Sequence, residues 1–137
     1  MSDLAFFDTN VLLYMYDRRD SAKRSRAAAA FQRHFHDGTI VISTQVLQEF
    51  YVCATAKLSL PPSRARELIS DLAELPVVNN ESSQILRAAD ISARLKLSFW
   101  DALILSAAEA AGANLLLTED LSHGRSYHGV RAVNPFL

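Results

Sequence analysis

Only one cysteine, Cys53, occurs in the 137 residues, so no intrachain disulfide can staple the fold. It lies in an apolar, helix-like stretch, YVCATA, a setting that predicts a buried, inert thiol rather than a nucleophile. An excess of positive charge is also missing. Lys and Arg number 14 against 15 Asp and Glu, a net charge of −1, which excludes a strongly basic binder that coats nucleic acid by charge alone. Local contact with nucleic acid stays open, because a patch matters more than the sum. No apolar run reaches the roughly 20 residues of a membrane span. The opening MSDLAFFDTN has no basic segment followed by a long apolar stretch, so no signal peptide is expected. Internal repeats, low-complexity segments and linkers are absent too. The chain is expected to be soluble and cytoplasmic, with no membrane partner.

What is present is enough apolar material for a proper core. Hydrophobic residues make up 50% and charged residues 21%, and the length suits one domain spanning residues 1–137. Short apolar runs alternate with longer helical stretches. Leu4–Phe7 reads as a strand, and Asn10–Tyr16 as a buried helix capped by Asp8 or Thr9. A second helix is predicted from Ser21 to His36, with Asp20 as cap and Gly38 as terminator. Ile40–Ser43 is a strand, Thr44–Lys57 a helix, and Pro61–Pro62 opens another to Leu72. Val77–Val78 is a weak strand. Ser82 or Ser83 starts a helix to Lys96, and Ser98 caps a very apolar one, Phe99–Ala111, ended by Gly112. Leu115–Leu117 and Val130–Val133 are the last strands, with an exposed polar loop, Ser122–Gly129, between them. Strands followed by helices imply βαβ units and an α/β fold with a parallel sheet. The strands are continuously apolar, as in a sheet covered on both faces.

Four acids interrupt these apolar segments: Asp8 in LAFFDTN, Glu49 in VLQEF, Asp101 in SFWDALI and Asp120 in LLLTED. Each has a plain alternative. Asp8 can cap the first helix. Glu49, at the edge of an arc formed by Val46, Phe50, Cys53 and Ala54, can reach out to solvent. Asp101 stands three residues after Ser98, as in a capping box. Asp120 can be a turn residue, and Glu119 beside it can take its place. Yet two of the four follow strands directly, and two sit in early turns of helices near strand ends. A parallel sheet brings all these positions to one edge, where binding crevices form. Converged carboxylates repel each other, and a hard divalent cation relieves that repulsion.

These four segments, in this order, resemble the PIN domain, and within it the VapC-type toxins. DTNVLLY at Asp8–Tyr14 is similar to the family's opening motif, with Asp8 as first acid and Asn10 as supporting polar residue. Glu49 matches the second acid, Asp101 the third, and Thr118 with Asp120 the fourth block. The likeness covers essentially the whole length. It implies a three-layer α/β/α sandwich and a ribonuclease dependent on Mg²⁺ or Mn²⁺. It also implies a small antitoxin that occludes the site. Asp8, Glu49, Asp101 and Asp120 are then the catalytic and metal-binding residues, with Asp8 and Asp101 the principal ligands. Asn10 and Thr118 would orient carboxylates by hydrogen bonds. The substrate would be RNA, and the high apolar content suggests a homodimer.

Other polar residues read more plainly. His34 and His36 stand two apart on a helix and share no face, which argues against zinc. His123 and His128 belong to the polar loop beside Asp120. Lys23, Arg24, Arg26 and Arg33 read as the solvated face of the second helix. Arg87, Arg94 and Arg125 read the same way, or as part of a phosphate-binding rim. A receiver-like regulatory domain also has acids at strand ends. It needs an acidic pair after the first strand and a late lysine, whereas Asp8 has no acidic neighbour and no lysine follows Lys96. A PIN-like domain that binds without cutting should lack one of the acids, and all four are present.

Overall fold

The computed structural model describes residues 3–137. Strand β1, Ala5–Phe7, is wholly buried. The chain turns at once into helix α1, Thr9–Tyr14, because Asp8 Oδ1 accepts the Thr9 N–H at 2.7 Å and caps it. Helix α2, Ser21–Asp37, starts at the Asp20 cap and stops at Gly38, whose left-handed backbone (φ +68°) suits glycine best. Strand β2, Ile40–Ser43, runs directly into α3, Thr44–Ala56, with Ser43 as the cap. Helix α4, Pro62–Leu72, opens on proline, where the missing N–H has no intrahelical partner to lose. Then come β3 (Val77–Val78), α5 (Ser82–Leu95), α6 (Phe99–Ala110) and β4 (Leu115–Leu117). Strands β5 (Ser126–Tyr127) and β6 (Val130–Val133) complete the order.

One element departs from the sequence reading. Strand β5 falls inside the segment expected to be an exposed loop. Ser126–Tyr127 pairs antiparallel with β6, and Tyr127 is buried while its neighbours are exposed. A strand of two residues is too short to show alternation. The Arg125 guanidinium covers the Tyr127 ring at 4.7 Å, and Ser122 N–H reaches its hydroxyl, so an apparently polar segment carries its own small apolar contact.

The six strands lie in the order β3-β2-β1-β4-β6-β5, parallel except for β5. The chain moves outward from β1 to β2 to β3, then returns past β1 to β4. Right-handed crossovers in those two directions place α1–α4 on one face and α5–α6 on the other. The packing agrees: α1 rests on α2 and α3, α3 on α4, and α5 on α6. The result is a three-layer α/β/α arrangement around Phe6, Phe7, Ile42 and Leu116 of the sheet. Val11 and Leu12 (α1), Val46 and Phe50 (α3) and Ile91 (α5) cover them, all fully or almost fully buried. Each such side chain stabilises the fold by roughly 1.5–3 kcal/mol. Helix α6 is buried through seven consecutive residues, Ala102–Ala108, as its uniformly apolar sequence requires. Both edge strands have two residues, which limits edge-to-edge association. No described helix is long and apolar enough to cross a membrane.

Phe50 should test how far α3 depends on the core. It is fully buried and meets the Tyr16 ring edge-on at 5.9 Å. Phe50→Ala is expected to destabilise by about 3–5 kcal/mol, read as a lower urea midpoint at unchanged slope. A loss below 1 kcal/mol would mean that α3 is anchored elsewhere.

Candidate active site

The parallel register builds the site. Phe7 pairs with Leu117, so the next residues, Asp8 and Thr118, stand side by side at the carboxyl edge of the sheet. Asp8 N–H continues the ladder to Leu117 O at 3.0 Å, and Thr118 N–H does so to Val133 O. Thr118 Oγ1 donates to Asp8 Oδ2 at 2.7 Å. The same oxygen accepts the Asp120 N–H at 3.1 Å and Asn10 Nδ2 at 3.4 Å. Asn10 Nδ2 also reaches Asp120 Oδ2 at 2.9 Å and Asp8 Oδ2 at 3.5 Å. One threonine and one asparagine thus tie two carboxylates together across the β1–β4 junction.

The other two acids arrive on helices. Helix α3 begins where β2 ends, so its early turns stand over the same edge. Glu49 Oε1 accepts the Thr9 hydroxyl at 2.9 Å. Helix α6 runs back toward the start of β4, which brings its first turn to this edge as well. Ser98 Oγ accepts the Asp101 N–H at 3.1 Å. The capping box is only half made: among the described residues the Asp101 carboxylate accepts no hydrogen bond in return, and it faces the cleft instead. All four acids line one cleft of about 270 Å³, together with Thr9, Asn10, Gln45 and Lys57.

Burial and mutual repulsion set the electrostatics. Asp8 is only 6% exposed. Burial pushes its carboxyl up to about 7, against the pull of hydrogen bonds from Thr118 and Thr9, and Asp120 and Glu49 raise it further by repulsion. Asp120 is also raised, by burial and then by Asp101, while Asn10 and Lys57 act in the opposite sense. Glu119, the alternative to Asp120, is committed elsewhere. Its carboxylate takes Lys23 Nζ at 2.8 Å and the Tyr14 hydroxyl at 3.0 Å.

The donor set fits a hard divalent cation. It is all oxygen, it gathers negative charge on a buried carboxyl, and Gln45 Oε1 is buried without a hydrogen-bond donor among the described residues. No three acidic, histidine or cysteine side chains among the described residues form a ready-made ligand cage.

Several sequence expectations need correction here. Cys53 is half-buried on the cleft wall rather than fully buried. Lys23 is not on a solvated face, because Glu119 and Tyr14 hold it. Arg87 is paired with both oxygens of Glu109. His34 is buried against Phe7, with Nδ1 2.8 Å from Thr39 Oγ1. His123 Nδ1 accepts the Asn134 N–H. The sequence reading missed Thr9, Gln45, Lys57 and Trp100 as members of the site. Their only advance signal was adjacency to the acids or recurrence every four residues along α3.

The raised Asp8 carboxyl makes a stability prediction. Folded Asp8 keeps its proton up to about pH 7, whereas the unfolded group loses it near 3.8. Between those values folding takes up a proton, so stability falls as pH rises, and the penalty is complete above about pH 7. In metal-free buffer at pH 8, Asp8→Asn should therefore melt several degrees above the unmodified chain, with the gap narrowing as pH falls through 7 and closing only below about 3.8. Equal melting at pH 8 would contradict the buried charge.

Comparison with known proteins agrees with this geometry. VapC20 of Mycobacterium tuberculosis, described as a sarcin-ricin loop cleaving toxin, superposes with a TM-score of 0.66 at 17% identity, over 85% of this chain and 91% of that one. A toxin–antitoxin complex from Klebsiella pneumoniae gives 0.68 at 24% identity, over 96% and 97%. DNA-bound VapBC from Salmonella typhimurium gives 0.67 at 20%, over the same shares. No curated protein matches the sequence. The PIN domain family matches residues 5–126, nearly the whole described chain and every acid of the cleft, and the chain belongs to that family.

Proposed function

We propose that this protein is a divalent-cation-dependent endoribonuclease and the toxin of a type II toxin–antitoxin pair. The observation that carries the reading is the convergence of Asp8, Glu49, Asp101 and Asp120 on one cleft at the carboxyl edge of β1 and β4. The similarity to VapC20, by its description a toxin that cleaves the sarcin-ricin loop, and to chains in toxin–antitoxin complexes supports it. Asp8 and Asp101 would be the principal ligands of Mg²⁺ or Mn²⁺, with Glu49 and Asp120 completing the set. Such an ion supplies Lewis acidity, neutralising phosphate charge and acidifying water.

The chain's own residues do the positioning. Thr118 and the Thr9 N–H fix the Asp8 carboxylate from two sides, so its remaining lone pairs face the cleft. Asn10 holds Asp120 in place. The Thr9 hydroxyl occupies Glu49 Oε1 and leaves Oε2 to accept a proton from a water attacking phosphorus. As that water adds, the bond from phosphorus to the leaving ribose oxygen breaks, and that oxygen takes a proton from solvent. An antitoxin would suppress this chemistry by covering the cleft.

Purified protein with Mg²⁺ or Mn²⁺ is expected to cut RNA. Asp8→Asn and Asp101→Asn should abolish cutting while circular dichroism stays native-like. Thr118→Val, which removes the hydroxyl holding Asp8, should lose roughly 10–100-fold. Glu109→Gln, paired with Arg87 outside the cleft, should be nearly silent. Undiminished cleavage by Asp8→Asn would mean that the site is misplaced.

Added Mn²⁺ should also raise the melting temperature, since a ligand bound only by the folded cluster stabilises by linkage. The rise should vanish in the Asp8→Asn, Asp101→Asn double variant. In cells, expression of the chain alone should arrest growth, and co-expression with the product of the adjoining gene should relieve it. Unimpaired growth with well-folded protein would exclude a toxin role and leave the nuclease.

A further inference from the structure

The cleft does not end at the acids. Four side chains of α3, Gln45, Glu49, Cys53 and Lys57, recur every four residues and all line it, so one ridge of the helix forms a continuous wall. From Gln45 to Lys57 that wall runs about 18 Å along the helix axis. At the Lys57 end the cleft continues into a hollow of about 130 Å³, sharing Asn10, Leu13, Lys57 and Glu119 with it. Along the rest of the wall, from Gln45 to Cys53, it opens into a more apolar hollow of about 380 Å³, with Trp100 at the Gln45 end. The acids lie in the middle.

The two ends differ in chemistry. Lys57 is the single cation on the cleft's lining. It is exposed, and among the described residues no carboxylate lies within ion-pair distance of it, as holds for most of the basic side chains. From the end of α3 it complements the helix dipole and lowers the Asp120 carboxyl from a distance, which leaves its ammonium open to an incoming anion. Trp100 leaves its indole 62% exposed, although α6 is otherwise the most buried helix. Its backbone is pinned, because Gln45 Nε2 donates to its carbonyl at 3.1 Å. Its ring meets Phe99 edge-on at 5.3 Å. Across the hollow, Val52 is 61% exposed. A fixed aromatic face beside polar Gln45 and Gln48 suits an unpaired nucleobase, which needs a stacking surface and hydrogen-bonding groups at its edge.

We propose that single-stranded RNA crosses the cleft along the α3 ridge, with a backbone phosphate on Lys57 and a base stacked on Trp100. The proposal rests on the nuclease reading and names how the substrate lies across its site. RNA is favoured over a protein partner because the apolar hollow opens directly into the acid cleft, and because the far end presents a lone cation to a polyanion.

The test uses full-length Asp8→Asn protein in EDTA, so that nothing is cut, and a fluorescein-labelled single-stranded RNA of mixed sequence. Trp100 is the only tryptophan in the chain, so its emission reports stacking directly and should be quenched at RNA saturation. Trp100→Ala is expected to weaken binding about 5- to 150-fold, and Trp100→Phe to recover part of it. Lys57→Gln should lower the slope of log affinity against log salt by about 0.7, and Lys57→Arg should restore it. Neither change should alter the melting temperature materially. Unchanged tryptophan emission together with unchanged affinity in both variants would overturn the proposal. A Trp100→Ala protein that keeps its RNA affinity but loses self-association, or loses antitoxin binding, would assign the indole to a protein interface and overturn it equally. The two readings separate cleanly. Cutting by the unmodified chain, with both variants at full RNA affinity, refutes the track alone. Binding through Lys57 and Trp100 by a chain that never cuts refutes catalysis and supports the track.

Discussion

The parallel pairing of β1 with β4 is the constraint on which the rest depends. These strands are separated by more than 100 residues, yet their register puts Phe7 opposite Leu117. Everything at the site follows from that alignment. Asp8 stands beside Thr118, the threonine hydroxyl bridges to Asp8 and receives Asp120 N–H, and Asn10 closes the group. A slip of one residue would turn Thr118 to the other face and leave Asp8 buried without its strongest side-chain donor. Burial of an unpaired carboxylate is costly, so the same register that fills the core also holds the acid.

That arrangement stores electrostatic tension. The core forces Asp8 into a setting that favours its neutral form, and its neighbours Asp120 and Glu49 push the same way. Hydrogen bonds from Thr118 and Thr9 offset only part of this. A site with such unresolved charge is suited to a cation, and perturbed carboxyls gathered in a cleft mark functional sites more often than structural ones. Meanwhile Lys23 pairs with Glu119 a short distance away.

Helix α3 links the core to the cleft. One of its faces packs Val46, Phe50 and Ala54 into the core. The neighbouring ridge, from Gln45 to Lys57, walls the cleft. Core packing on one side therefore fixes the position of Glu49 on the other. The link to α6 is equally direct, since the Gln45 amide grips the Trp100 carbonyl next to Asp101. Two helices on opposite faces of the sheet are joined at the edge where the four acids converge.

Much of this was legible from residues alone. Continuous apolar strands, the Asp20 and Ser98 caps, Gly38 and Pro62 are local signals, and local signals survive without tertiary context. The four acids could be named because charge inside an apolar segment stands out. What could not be read was which of two neighbouring groups does which task. Glu119 and Asp120 are adjacent and chemically alike, and only the distant Lys23 and Tyr14, which occupy one of them, separate their roles. Ser98 and Asp101 looked like a closed capping box, and only the fold leaves the carboxylate free toward the cleft. Strand β5 had too few residues to show a period, and pairing with β6 alone defines it. The sequence by itself determined the elements, their order and the candidate acids, because these depend on neighbours along the chain. The tertiary structure decided which side chains meet, because hydrogen bonds such as Thr118 to Asp8 and Thr9 to Glu49 join residues 40 to 110 positions apart.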